Sequence, residues 1–280
     1  MFTVTLTFHD DLPGFLRREW RGHGGLVRRT LTEKTAVKDV IEACGIPHTE
    51  VDLIVAEAGT AGTSSHPASR AVSFAWTVEE PVHLHVHGAP APPDLLPGAP
   101  RLQDGWPRRF VADGHLGKLV RNLRLLGLDV AYERDADDPR LLRIMADEDR
   151  VLLTRDRPLL MHSVVRHGCC PRSDAHEEQT REVLHRFRLQ PVPGIPSLLS
   201  LFSRCLQCNT PLEEVPKSTV LAPLADEPLT LRYYEDFRRC PGCGKVYWPG
   251  THAPKLTALI GRLLVPANSP PTSQATRPAS

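Results

Sequence analysis

No uninterrupted apolar run of about 18 residues occurs in this chain, so no membrane-spanning helix is expected. A secretion signal is lacking as well. The opening MFTVTLTFHDD alternates in polarity and carries acids, where a leader would carry a basic stretch and then an apolar one. Charge imbalance is missing: 34 Lys and Arg stand against 33 Asp and Glu, leaving a net charge of +1. That removes any global electrostatic argument for nucleic acid and leaves only local clusters. A disulfide framework is lacking too. Four of the seven Cys fall in two CxxC pairs, which reads as metal ligation in a reducing, cytoplasmic setting. What is present is ordinary: 41% hydrophobic and 24% charged residues in 280 describe a globular chain with material for more than one core.

FTVTLTF alternates with period 2 and predicts a strand, as do LVRRTL, DLIVAEAG and PVHLHVHG. Between them, Thr35 to Cys44 carries Val37, Val40 and Ile41 at helical spacing and stops before Gly45-Ile46-Pro47. Two strands, one helix and further strands predict a small β-grasp over residues 1–88. VKDVIEACGIPHTEVDLIVAEAG resembles sulfur-carrier-type ubiquitin-like domains. Such carriers end in a free Gly-Gly, whereas Gly88 is single, internal and followed by Ala-Pro-Ala-Pro, so carrier chemistry is not supported. His83, His85 and His87 alternate and share one sheet face. A solvated face, with Leu84 and Val86 turned inward, is favoured over a metal site. Arg17, Arg18, Arg21, Arg28 and Arg29, opposed only by Glu19, favour a solvated surface over an RNA face.

Residues 89–108 are rich in Pro and Gly, which cannot sustain a helix or central strand, and read as a semi-rigid linker. From Phe110 strands alternate with helices: FVAD, a helix with Leu116, Leu119, Val120 and Leu123 on one face, a stop at Gly127, DVAYE, a helix from Pro139, and RVLLTRD. This βαβαβ order predicts a parallel sheet flanked by helices over 109–200. Three strands end next to acid: Asp113, the Asp135/Asp137/Asp138 cluster, and Asp156. In a parallel sheet those ends share one edge, where open α/β folds place their sites. Gathered carboxylates repel unless a cation sits among them, and hard oxygens suit Mg²⁺ or Mn²⁺. The competing role is helix capping, which Asp favours. Three acids at one edge, with Lys118 and Arg155 to meet phosphate, favour the metal reading. Receiver and DxD phosphatase sites fail, because Gly114 and His115 stand where a second acid belongs.

Cys205-Leu-Gln-Cys208 and Cys240-Pro-Gly-Cys243 give two thiolate pairs, the arrangement of a closed structural Zn²⁺ site, over residues 201–255. Tyr247, Trp248, Lys245, Arg238 and Arg239 offer an aromatic and basic surface suited to single-stranded RNA. Cys44, Cys169 and Cys170 read as packing residues. Residues 266–280, rich in Pro, Ser and Thr, are expected to be disordered.

FVADGHLGKLVRNLRLLGLDVAY, DADDPRLL, RVLLTRDRPLL and the CxxC pairs resemble, in order, the Mut-seven C-terminal RNase domain family. The resemblance implies a PIN-like nuclease using clustered acids and divalent metal, a zinc ribbon behind it, and a ubiquitin-like companion in front. It implies Asp113, Asp138 and Asp156 as the acidic site, with Asp137 equally suited to the middle position and Asp174 a candidate fourth acid. Lys118, Arg121, Arg124 and Arg155 would face substrate phosphates. The expected function is a metal-dependent ribonuclease acting on RNA. The alternative is a non-catalytic RNA- or ribosome-associated module, with the N-terminal domain available to a protein partner.

Overall fold

A computed structural model describes residues 1–57, 69–192 and 197–265, so the tail at 266–280 and the last two residues of DLIVAEAG lie outside the described residues. Two compact units are formed: Met1–His115 with Ala131–Pro171, and Leu116–Val130 with the residues from Arg172 onward.

In the first unit, β1 (Phe2–Phe8), β2 (Leu26–Leu31), β3 (Thr35–Ala36), α1 (Val37–Glu42), β4 (Val51–Glu57), β5 (Ser69–Ala71), β6 (Thr77–Val78) and β7 (Val82–Gly88) follow in chain order. The main sheet runs β2-β1-β7-β4-β5, with β1 parallel to β7 and antiparallel to β2. Period-2 alternation does what the pattern asks of it: Val4, Leu6, Phe8, Leu84 and Val86 are buried, while the residues between them are less covered. Val37, Val40 and Ile41 seat α1 on that face. The helix is shorter than the Thr35–Cys44 expectation, because Thr35 and Ala36 pair with Val78 and Thr77 as β3.

Residues 89–108 fold back over β4. The buried Asp52 carboxylate accepts from the backbone N–H of Ala91 at 2.9 Å and of Gln103 at 3.1 Å, and Arg101 donates to the carbonyls of Pro92, Pro93 and Leu95. Pro-rich composition excludes regular structure here, but one buried acid fixes the path.

β8 (Arg109–Ala112), β9 (Asp129–Tyr132), α3 (Asp138–Asp147), β10 (Val151–Leu153), α4 (Arg157–Leu160) and β11 (Gly168–Cys169) build the second sheet, in the order β11-β10-β8-β9. β11, β10 and β8 are parallel, with Leu153 level with Ala112. β8 and β10 are entirely apolar on their inner residues and buried on both faces, as a covered parallel strand must be. Val111, Leu152, Leu141, Ile144 and Leu160 share one continuous core with Val4, Ile41 and Ile54 of the N-terminal sheet. Each such side chain, fully buried, contributes about 1.5–3 kcal/mol. Polar contacts tie the same two regions: His48 Nε2 sits 2.6 Å from the Val165 carbonyl, and Glu50 accepts from the Cys170 N–H at 2.7 Å.

The second unit holds α2 (Gly117–Leu125), α5 (His176–Arg186), β12 (Glu213–Val215), α6 (Pro228–Tyr233), β13 (Phe237–Arg239), β14 (Val246–Tyr247) and α7 (Ala253–Leu264). α2 buries Leu119, Val120 and Leu123 and ends at Gly127, where φ is +87°. A Cβ there would lie 2.1 Å from the Ser200 carbonyl oxygen, so only Gly fits. β12, β13 and β14 form an antiparallel sheet beneath the cysteines. α6 and α7 were not among the expected elements. No helix among the described residues is long and apolar enough to cross a membrane.

Candidate functional site

Asp113 follows β8 directly, and its backbone N–H donates to the Leu153 carbonyl at 3.0 Å, continuing the ladder one step past the strand. The register therefore sets Asp113 beside Thr154 at the carboxyl end of β10. Thr154, fully buried, donates its hydroxyl to Asp113 Oδ2 at 2.7 Å and accepts from the Asp156 N–H at 3.0 Å. One side chain thus couples the first and third acids. His115 Nδ1 lies 3.2 Å from the same Oδ2. A short 3-10 turn, Gly114–Leu116, separates Asp113 from α2, whose N-cap is Leu116, and no side chain caps α2.

The middle acids reach this edge through a backbone clamp. Tyr132, ending β9, donates its hydroxyl to the Gly114 carbonyl at 2.7 Å. A Cβ on Gly114 would meet the Arg134 carbonyl oxygen at 2.0 Å, so the Asp113 turn and the loop after β9 touch backbone to backbone. That loop leads into α3. Asp137 is the N-cap of α3 and accepts from the Arg140 N–H at 2.9 Å. Asp138 opens the helix, is exposed, and makes no hydrogen bond or ion pair with any described residue. Arg140 also pairs with Glu133, and that hydrogen-bonded guanidinium holds the Glu133 carboxyl below its usual range. Asp156 caps α4, accepting from the Leu159 N–H at 3.0 Å through Oδ1. Asp137 and Asp156 thus each accept an N-cap hydrogen bond from an α-helix, while Asp113 is bonded to Thr154 instead.

These carboxylates are not among the groups of three or more ligating side chains whose donor atoms converge within 4.8 Å in the described residues. Both contacts of Asp113 fall on Oδ2, and the capping contacts of Asp137 and Asp156 each fall on Oδ1. Each acid keeps a second oxygen. Such a donor set fits Mg²⁺ or Mn²⁺, which is held by one or two carboxylates and completes its shell with water.

Arg155 is exposed next to Asp156, and Lys118 and Arg121 are exposed on α2. Arg124 departs from the expectation that it faces substrate. It is 4% exposed and donates to the carbonyls of Val130, Leu206 and Gln207. Its guanidinium fixes the first cysteine knuckle to the start of β9, a task reinforced by Asn209, which bonds Val130 N–H and the Asp129 carboxylate. Asp174 is exposed ahead of α5, whose N-cap is Ala175.

The four cysteines do converge. Cys205 Sγ lies 3.6 Å from Cys243 Sγ and Cys208 Sγ 3.3 Å from Cys240 Sγ, all four within 4.8 Å. Each CxxC is the same knuckle: Cys205 N–H donates to Thr210 O and Cys240 N–H to Lys245 O, with Asn209 and Gly244 in the left-handed region at φ +71° and +74°. The cluster could bind zinc, and its four soft donors close the shell as a structural site does. Tyr247 is not the open stacking ring expected. Its hydroxyl is 3.1 Å from Cys205 Sγ and accepts from the Leu206 N–H, and burial with that sulfur contact pushes the phenol pKa up. Arg238 is likewise engaged, with Glu214 and the Phe202 carbonyl.

Thr154 and Tyr132 were not singled out from the sequence. A Thr closing an apolar strand immediately before Arg-Asp is the only signal the former leaves.

Residues 108–260 match the Mut7-C RNAse domain, and residues 1–75 match the Mut7-C ubiquitin domain. The chain is similar to a human protein named exonuclease mut-7 homolog, with 30% identity over 142 residues. That alignment covers 46% of this chain but 16% of the relative, so the chain spans a small part of the protein it matches. No solved structure matches the chain. The RNase-domain match takes in more than half of the sequence and every element carrying the acids and the cysteines: the chain belongs to the Mut7-C RNAse domain family.

Proposed function

We propose that this chain is a metal-dependent ribonuclease whose acidic site comprises Asp113, Asp156 and a middle acid, Asp138. The observation that carries the reading is the Thr154 bridge, which holds the Asp113 carboxylate through Oδ2 at the end of a central parallel strand and leaves Oδ1 without a hydrogen bond among the described residues. Asp138 is preferred over Asp137 because one oxygen of the latter already accepts from Arg140 N–H, whereas Asp138 makes no hydrogen bond or ion pair with any described residue. A Mg²⁺ or Mn²⁺ ion held by these acids would stabilise charge on the scissile phosphate and orient water. Thr154 fixes the Asp113 rotamer, and His115 supplies a nearby group able to hold or release a proton. Arg155, Lys118 and Arg121 are the candidates to meet phosphate oxygens, which suits their exposure.

The substrate class proposed is single-stranded RNA. Exposed Tyr233, with Tyr234 and Trp248 along a groove in the second unit, provides rings on which unpaired bases could stack. Zn²⁺ in the four-cysteine cluster would be structural. The β-grasp domain is proposed as the site of any protein partner, and the reducing setting that four unpaired thiolates require is the cytoplasm.

The test is cleavage of end-labelled single-stranded RNA by the purified chain with Mn²⁺ or Mg²⁺, repeated after EDTA. Metal-dependent cleavage is expected. Binding without cleavage would instead support the non-catalytic RNA-binding reading, which the separation of the carboxylates keeps in play.

A further inference from the structure

A second convergence of ligating groups lies on the β-grasp sheet, far in sequence from both sites above. Glu57 ends β4 directly opposite His83 on β7, and His85 follows two residues on along the same face. Donor atoms of Glu57, His83 and His85 all fall within 4.8 Å of one another. Glu57 Oε2 is 3.7 Å from His83 Nδ1, and Glu57 Oε1 is 3.3 Å from His85 Nε2.

What distinguishes this trio from a solvated polar face is the state of the other ring nitrogens. His83 Nε2 is bonded to the Thr7 hydroxyl at 2.8 Å, and His85 Nδ1 to His9 Nε2 at 3.0 Å. Each imidazole is thus anchored through one nitrogen while the other faces the same carboxylate. Metal-binding histidines are held in this way, the distal N–H bonded to an outer partner that sets tautomer and ring orientation. His85 Nε2 is also buried with no hydrogen-bond partner among the described residues, despite the carboxylate 3.3 Å away. If His85 donates through Nδ1 to His9, Nε2 presents a lone pair to a carboxylate oxygen, and two acceptors face each other with nothing between them. An orphaned nitrogen of this kind calls for a cation.

We propose that Glu57, His83 and His85 form a second metal site, taking a Zn²⁺-class divalent transition ion through a carboxylate oxygen, Nδ1 of His83 and Nε2 of His85. The geometry needs little adjustment. Bonds of about 2.0–2.1 Å in tetrahedral array put donors about 3.3 Å apart; the two imidazoles approach different oxygens of Glu57, at 3.3 and 3.7 Å, so a small rotation of the carboxylate brings one oxygen to both. Two imidazoles and one carboxylate select Zn²⁺, Co²⁺ or Ni²⁺ over Mg²⁺ or Ca²⁺. With three protein ligands the fourth position stays open, and side chains 25% to 36% exposed give an ion access.

The experiment strips the full chain with EDTA, reloads it with Zn²⁺, removes excess ion and measures metal by mass spectrometry, with a parallel Co²⁺ titration followed by absorbance. The native chain is expected to hold about one equivalent more than His83→Asn/His85→Asn, because the cysteine site and any ion at the acidic edge are common to both and only the His₂Glu site is lost. In the Co²⁺ titration, thiolate-to-cobalt charge transfer belongs to the cysteine site alone. Those bands should persist in the double variant while the second set of ligand-field bands disappears. Thr7→Val, which removes only the outer partner of His83, should weaken the second equivalent by about 10-fold or more. Equal metal content and equal titrations for native and double-variant chains, or a single equivalent in the native chain, would overturn the proposal.

Discussion

The four-cysteine cluster and the acidic sheet edge are both candidate metal centres, and they are assembled in opposite ways. The cysteines come from two copies of one local turn, each making the same backbone hydrogen bonds, and their sulfurs meet without help. The acids come from the ends of three strands, meet through Thr154 and a Gly114 backbone contact, and stop short of convergence. A closed set of ligands suits an ion that holds a fold, while an open set leaves room for water and substrate. Removing the first should cost structure, and perturbing the second should cost activity.

The largest effect is expected from Cys208→Ser/Cys240→Ser. Structural zinc is worth about 10–16 kcal/mol of apparent folding free energy, so the region after residue 200 should lose order. Limited proteolysis would show new cutting there, with the first unit protected. Resistance equal to the native chain would break the contrast. Arg124→Ala comes next. It strands the buried Val130 carbonyl and frees the partly buried carbonyls of Leu206 and Gln207, so a loss of about 1–3 kcal/mol, the cost of one unsatisfied buried group, should appear in chemical denaturation. A variant that kept its stability but bound RNA less well would return Arg124 to the substrate.

Thr154→Val separates stability from activity at the edge itself. Loss of one hydroxyl should cost about 1 kcal/mol in stability. Because it unlocks Asp113, cleavage should fall about 10-fold or more, as when an outer partner of a ligand is lost. The smallest effect concerns reactivity. Burial pushes the Cys44 thiol up to about 11, so at pH 8 it should resist alkylation in the native chain even after zinc removal, while the exposed Cys208 becomes labelled. Peptide mapping after brief iodoacetamide treatment reads this directly.

Much of this was legible in the sequence because it rests on local rules. Period-2 and period-3.6 apolar spacing, Gly127 after α2 and the paired CxxC turns each carry their own signal. The α7 helix also had one, in Leu256, Ile260 and Leu263, but it falls mostly beyond the residues 201–255 assigned to the ribbon. Arg124 is different in kind. On a helix alone it belongs to the polar side, and only the chain more than eighty residues later supplies the carbonyls that bury it. The same holds for Thr154, whose significance comes from a strand forty-one residues earlier in register with it, and for the Pro-rich 89–108 stretch, whose path is set by one acid on β4. The acids themselves were visible, but which of Asp137 and Asp138 caps α3 is decided by a hydrogen bond that spacing does not distinguish.

The most direct measurement is the rate of Mn²⁺-dependent cleavage of single-stranded RNA by Asp113→Asn beside the native chain, with thermal unfolding of each. Loss of roughly 10²–10³-fold for Asp113→Asn, the range for removing one preorganised charge-stabilising group, is predicted with melting close to native. Native-level cleavage by Asp113→Asn would contradict the acidic edge as the active site.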